Sequence, residues 1–323
     1  MTKLVADDRE KIPVIAVLGP TASGKTSLAV RLAQHFNGEV ISCDSMQIYQ
    51  GMRIATAKPD ENEMQGVRHH LIDFLSVDQR FSVSEFVPAA ARAAEDISSR
   101  GKQVFLCGGT GLYADAFLQG MSFPEDDGAQ EKRAELTEFF HARGIDALRE
   151  RLLKLDPEAA LSIDMDNPKR VLRAIEICES SGKTLKAYRA DNIPPVSPYR
   201  VLRLCLDFKD REKLYDRINQ RVDQMIEQGL EEEARAYYCL PSRCTASQAI
   251  GYKELKPYFD GALSFEEAAQ NIKQATRRYA KRQLTWFRRF DSAHFLYVDA
   301  EDVYVQAARL CGEFLEGVKA DEP

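Results

Sequence analysis

Long apolar runs are missing from this 323-residue chain, and none approaches the roughly eighteen residues of a membrane-crossing helix. Met1–Pro13 is too charged to contain the apolar core of a signal peptide, so a cytoplasmic protein without membrane contacts is expected. Cysteine occurs at 43, 107, 178, 205, 239, 244 and 311, an odd number with no C-x-x-C pair. Neither a disulfide framework nor a zinc site is indicated, and the thiols are expected to be small, reduced core residues. Internal repeats and low-complexity tracts are absent. Tryptophan occurs once, and the formal charge of −6, taken over the whole chain, speaks against a nucleic-acid partner.

The distribution of charge reverses that last exclusion. Gln270–Phe290 holds seven basic residues (Lys273, Arg277, Arg278, Lys281, Arg282, Arg288, Arg289) and no acidic one. Lys273, Arg277 and Lys281 recur at four-residue spacing along one helical face, which suits either a solvated surface helix or an RNA-binding one. Between Ser122 and Asp166 twelve acidic residues face six basic ones. A sharper signal lies near the start. Behind the apolar run Val14–Leu18 stands Gly19-Pro20-Thr21-Ala22-Ser23-Gly24-Lys25-Thr26, a complete phosphate-binding loop, followed by an amphipathic helix to His35. Its glycines let backbone N–H groups close on phosphate oxygens while the helix points its positive end at them. Lys25 adds a point charge, and the Thr26 hydroxyl is a ligand for Mg²⁺.

Apolar runs alternate with amphipathic helices through the first third, which predicts an α/β fold: a P-loop NTPase-like parallel sheet core covered by helices. Strands are expected at Val14–Leu18, Glu39–Cys43 and Gln103–Cys107, and helices at Lys25–His35, Val83–Arg100 and Leu112–Leu118. The pattern then becomes wholly helical, through Lys132–Arg143, Asp146–Lys154, Pro157–Ser162 and Lys169–Ser180. A strand at Arg200–Leu206 and helices at Arg211–Gln228, Leu230–Tyr238 and Phe265–Phe290 follow. The expected organisation is a core in two parts, 1–123 and 199–323, with an all-helical insertion domain at 124–198 and a frayed end from Gly317.

In open α/β sheets ligands bind beyond the carboxyl ends of the strands. The second strand is followed by Asp44-Ser45-Met46-Gln47, and Asp44 suits a metal ligand, a general base or the cap of the next turn. The third ends in Cys107-Gly108-Gly109-Thr110-Gly111, where a nucleotide hydrolase carries an Asp. Glycines there allow close backbone approach to a ligand or simply a tight turn; Thr110 is not needed for the turn. Arg217 and Arg221 share a helix face and suit either a diphosphate clamp or ion pairs with Glu212 and Asp216. Trp286 and Phe287 sit among basic residues, as RNA-stacking groups or as core anchors. His69 and His70 are adjacent and point apart, which favours hydrogen-bonded structural roles over metal ligation.

Taken in order, these pieces resemble the bacterial tRNA dimethylallyltransferases, also called tRNA isopentenyltransferases. The motifs that carry the resemblance are residues 19–26, 44–47, Ala55-Thr56-Ala57-Lys58-Pro59, Gly108-Gly109-Thr110-Gly111-Leu112-Tyr113, Asn167-Pro168-Lys169-Arg170-Val171-Leu172-Arg173-Ala174, Gln248-Ala249-Ile250-Gly251-Tyr252-Lys253 and Lys281-Arg282-Gln283-Leu284-Thr285-Trp286-Phe287-Arg288. Ala55 departs from the family's usual glycine, and the C-terminal zinc finger of eukaryotic relatives is missing. The resemblance implies transfer of a dimethylallyl group from its diphosphate to N6 of adenosine 37 in tRNAs that read codons beginning with U. It implies Asp44 as the base, Thr110 near the reacting centre, Lys25 with Arg217 or Arg221 on the diphosphate, and Mg²⁺ on Thr26. It also implies tRNA contacts from Asp44–Gln47, Thr110, Arg133, Lys169–Arg173, Gln248–Lys253 and Lys281–Arg288, with the insertion gripping the anticodon stem. The acidic balance of the insertion counts against much of its surface doing so. A monomer is expected. The alternatives are a small-molecule or nucleoside kinase and a non-catalytic, nucleotide-dependent RNA-binding switch; neither employs all of these motifs.

Overall fold

A computed structural model describes residues 11–123, 129–192, 196–238, 245–300 and 302–317. The chain forms two compact units, one made of the residues up to Gln119 together with those from Ser197 onward, the other of Gly120–Val196. In the first unit come β1 (Ile12–Leu18), α1 (Lys25–His35), β2 (Gly38–Cys43), α2 (Glu61–Met64), β3 (His69–His70), α3 (Val83–Ser99), β4 (Gln103–Gly108) and α4 (Gly111–Gln119). The second unit holds α5 (Ala129–Leu155), α6 (Pro168–Ser181) and α7 (Leu185–Asn192). The first then resumes with β5 (Tyr199–Asp207), α8 (Arg211–Glu227), α9 (Leu230–Ala236), α10 (Tyr252–Phe259), α11 (Phe265–Phe287), β6 (Ala293–Tyr297) and α12 (Val303–Glu316).

The six strands form one sheet in the order β3-β2-β4-β1-β5-β6, and every pairing is parallel. Val14–Leu18 and Val104–Leu106 are at most 1% exposed, as central strands covered on both faces must be. Ile15 and Val17 pack with Leu28 and Leu32 of α1 and with Leu310 of α12; α3 and α4 also pack on the strands. All strands therefore point their carboxyl ends to one edge, where the turns after β1, β2 and β4 meet.

The helical unit has its own core, built from Leu136, Leu148, Leu152, Val171 and Ile175. The two helices expected at 132–143 and 146–154 are α5, interrupted at Gly144, whose φ of 76° breaks the helical path. The helix expected at Pro157–Ser162 is only a single 3₁₀ turn, Ala159–Leu161, too short to cover more than Ala159. Elements not anticipated are α2, α7, α10, α12, the two-residue strand β3 and the edge strand β6. Cys43, Cys107, Cys178, Cys205 and Cys311 are buried free thiols; Cys239 and Cys244, the linkers 124–128 and 193–195, and the tail 318–323 lie outside the described residues. Among the described residues no helix is long and apolar enough to cross a membrane.

Candidate active site

The phosphate loop turns through Ala22 (φ 63°) and Gly24 (φ 84°), the left-handed region that lets successive N–H groups converge. Ser23 is 2% exposed and its hydroxyl has no partner among the described residues. An unsatisfied buried hydroxyl costs about 1–3 kcal/mol, which a phosphate oxygen would offset. Lys25 Nζ donates to Pro20 O at 3.4 Å. Burial lowers the Lys25 pKa; Cys107 and Asp44 oppose the shift and Arg221 adds to it. An anion in the loop therefore favours the charged lysine, and its binding weakens as pH rises through that lowered value.

Asp44 closes the turn after β2: its Oδ1 accepts from Met46 N at 2.9 Å and Gln47 N at 3.3 Å. The capping role is thus real, and it fixes the carboxylate without using Oδ2. Thr110 N donates to Cys43 O at 3.2 Å, while Thr110 Oγ1 accepts from Ser45 N at 3.1 Å. Tyr279 of α11 lies close to the Thr110 side chain; burial first, then Asp44, raises the pKa of its phenol. A Cβ at Gly108 would lie 2.0 Å from Cys43 O, so only glycine lets β4 end against the β2 turn.

Gln283 joins the loops. Its Oε1 accepts from Thr21 N at 3.0 Å and its Nε2 donates to Gly109 O at 2.9 Å, and a Cβ at Gly109 would strike that nitrogen at 2.1 Å. From α8, Arg217 Nη2 lies 3.8 Å from where a Cβ on Gly24 would be, with its guanidinium 5.7 Å from the Phe208 ring. Burial lowers the Arg221 pKa, against the pull of Glu63 and Asp44. Among the described residues neither arginine is held by a carboxylate, so the alternative of surface ion pairs with Glu212 and Asp216 is not what this helix builds.

Lys25, Asp44, Arg221, Tyr279 and Gln283, but not Thr110 or Arg217, line a cavity of about 360 Å³. Thr21, Gly24, Lys25, Thr26, Asp44 and Arg221 make it polar at one part; Met46, Val222, Met225, Leu230, Ala249, Ile250 and Ile272 make it apolar elsewhere. Ser45, Gln47, Gln248, Lys253, Arg282 and Gln283 also line it. A second, wider hollow shares Gly24, Ala57, Glu63, Arg221 and Met225 with it and adds Arg53, Lys58 and Arg217. Tyr279, Glu63 and Thr276 are lining residues that motif reading missed; Tyr279 lies one turn before Arg282 on α11, which is the signal that finds it.

Several residues expected at an RNA surface are elsewhere. Val171 and Phe287 are fully buried and Leu284 is 3% exposed, because each faces a core; Gln283 is buried as the strap between loops. Trp286 fills the space where a Gly111 side chain would be, its Cδ1 2.5 Å from a built Cβ, so it anchors α4. Gly251 and Tyr252 are buried, whereas Lys281, Arg282 and Thr285 on α11 and Arg288 just beyond it are exposed. Arg288 is held by Asp207 at 3.0 Å. Lys273 and Arg277 turn inward to Asp223 and Asn219 of α8, so the evenly spaced basic row is partly a helix-packing seam. In the helical unit Lys169 and Arg170 are exposed, Leu172 is half-buried, and Arg133 and Arg173 both bind buried Glu176. His70 bonds Glu39 at 2.7 Å and His69 bonds Val67 O at 2.9 Å, the expected structural roles. No group of three ligating His, Cys, Asp or Glu side chains occurs among the described residues.

The model of a protein family described as IPP transferase matches residues 47–290. The chain belongs to the IPP transferase family. Its relatives include the tRNA dimethylallyltransferases of Thermoanaerobacter sp. (strain X514), 43% identical over 95% of this chain and 98% of that one, and of Bacillus subtilis (strain 168), 44% identical over 86% and 88%. Among solved structures, the full-length tRNA isopentenylpyrophosphate transferase of Bacillus halodurans aligns with a TM-score of 0.71 at 42% identity, covering 95% of this chain and 98% of that one. A eukaryotic dimethylallyltransferase acting on tRNA aligns at 0.82 with 26% identity, covering 97% and 81%. The parallel P-loop core is that of the IPP transferases, and membership favours a prenyltransferase over the kinase.

In this IPP transferase, Gln283→Ala removes the partners of the buried Gly109 carbonyl and the half-buried Thr21 N–H, the first worth about 1–3 kcal/mol and the second less. Chemical denaturation should show the loss, and the apparent KM for the diphosphate should rise; an unchanged midpoint and KM would mean the strap holds nothing.

Proposed function

We propose that this chain is a tRNA dimethylallyltransferase that moves the dimethylallyl group from its diphosphate to N6 of adenosine 37. The observation that carries the reading is the shared cavity: a phosphate loop, Arg221 and the anchored Asp44 carboxylate open onto one space with apolar lining, and Arg217 lines the adjoining hollow. The loop's N–H groups, Lys25, Arg217 and Arg221 hold the diphosphate and offset the charge it gains on leaving. The bond between N6 and the allylic carbon forms as the carbon–oxygen bond to diphosphate breaks, and Asp44 Oδ2 takes the N6 proton. Thr110 and Tyr279 orient the amine next to that carboxylate.

Magnesium fits the donors present: the Thr26 hydroxyl offers one hard oxygen, and Mg²⁺ is commonly completed by substrate phosphates and water rather than by a protein cage. When bound it supplies further charge neutralisation on the diphosphate. A base inside an anticodon loop must leave its stack to reach such a cavity. Exposed Lys281, Arg282 and Thr285 of α11, with Gln248 and Lys253, suit the RNA near that base. Lys169 and Arg170, the latter 4.0 Å from Asp164, are the exposed pair through which the helical unit holds the stem, since Arg133 and Arg173 are both turned to the one carboxylate of Glu176.

Incubation with unmodified tRNA, Mg²⁺ and labelled dimethylallyl diphosphate should label adenosine 37. Phosphate transfer from ATP, or no chemistry with either donor, would contradict the proposal. Asp44→Asn should lower kcat by about 10²–10⁴-fold with tRNA affinity nearly unchanged; collapse of tRNA binding with a normal rate on bound tRNA would remove Asp44 from the chemistry.

A further inference from the structure

We infer that Glu233 is a positioning residue that sets the width of the alkyl pocket, and with it the chain length of the allylic diphosphate accepted; the inference rests on the transfer reading above. Glu233 is on α9, outside every motif of the sequence analysis. Its Oε2 accepts from Arg53 N and Ile54 N, both at 2.8 Å, and its Oε1 accepts from Ala55 N and Tyr252 Oη, both at 2.9 Å. One carboxylate therefore takes three consecutive backbone N–H groups of the 53–57 segment. Hydrogen bonds to a charged acceptor are stronger than neutral ones, so this segment is held firmly.

The segment is a wall of the site. Ala55, Thr56 and Ala57 line the cavity, and Ala57 also lines the hollow that Arg217 and Arg221 share with the phosphate loop. That adjacency puts the wall beside the first carbons of an allylic group whose diphosphate sits in the loop. From the opposite side Gln47 Nε2 donates to Thr56 O and Ala57 O, both at 3.2 Å. Leu230, one turn before Glu233, closes the apolar part: a Cβ on Gly251 would lie 3.4 Å from Leu230 Cδ1 and 3.6 Å from Ala55 Cβ. Helix α9 thus supplies one wall through Leu230 and fixes the next through Glu233.

A Glu233→Gln side chain keeps the size but replaces one acceptor oxygen by an NH₂ that faces N–H donors, which frees the wall to move outward. The test compares kcat/KM for dimethylallyl and geranyl diphosphates with saturating tRNA. The preference for the five-carbon donor should fall at least about tenfold in Glu233→Gln through a gain with the ten-carbon donor. Leu230→Ala, which removes the end wall and leaves the carboxylate intact, should shift the preference in the same direction, so the inference stays testable if Glu233→Gln does not fold. Equal losses for both donors in the two variants, or a change confined to the KM for tRNA, would overturn it. A wild-type protein that transfers neither group to tRNA would instead overturn the transfer reading, and this inference with it.

Discussion

The site depends on two strand ends approaching more closely than side chains allow. β4 lies between β2 and β1 in the sheet, so its end meets the β2 turn that carries Asp44 and its loop faces the phosphate loop after β1. Glycine at 108 and 109 removes the Cβ atoms that would collide with Cys43 O and Gln283 Nε2. Gln283 then spans the gap with one accepted and one donated hydrogen bond. Because Gln283 belongs to α11, the helix whose exposed face is basic, the proposed RNA surface and the phosphate loop are parts of one packed assembly. Tyr279 on the same helix lies beside Thr110, which extends that link to the turn after β4.

Charge is arranged by the same logic. Several cations have partners: Lys273 pairs with Asp223, Arg277 bonds Asn219, Arg133 and Arg173 share Glu176, and Arg288 pairs with Asp207. Lys25, Arg217 and Arg221, none held by a carboxylate among the described residues, gather around the phosphate loop, where burial disfavours the charge on Lys25 and Arg221. A concentration of unmatched positive charge in a partly dry cavity is a demand for an anion. It also explains why a chain of net charge −6 can hold a polyanion at one place.

Much of this was legible in the sequence because the signals are local. A glycine-rich loop behind an apolar run, and long amphipathic periods, identified β1, α1, α3, α8 and α11 within a few residues. β3 and β6 were missed for a physical reason: an edge strand of two residues, and one reading Ala-His-Phe-Leu-Tyr, have too little burial to impose a pattern. Motif spacing brought Asp44, Thr110 and the arginines into consideration, but not which residues of a motif face outward. Val171, Leu284 and Phe287 fall inside the same runs as exposed Lys169 and Arg282, and only packing separates them. Glu233 was invisible because its partners, residues 53–55, are about 180 positions away in sequence and offer backbone groups, which leave no trace in residue type.

The central claim is that the phosphate loop holds a diphosphate whose hydrocarbon lies in the cavity beside Asp44. A crystal structure with Mg²⁺ and the unreactive dimethylallyl thiodiphosphate tests it directly. The account predicts diphosphate oxygens against the N–H groups of residues 21–26 and the guanidinium groups of Arg217 and Arg221, with the alkyl chain toward Asp44 and Thr110. An analogue bound elsewhere, or seated in the loop with its alkyl chain directed away from Asp44 into solvent, would contradict it.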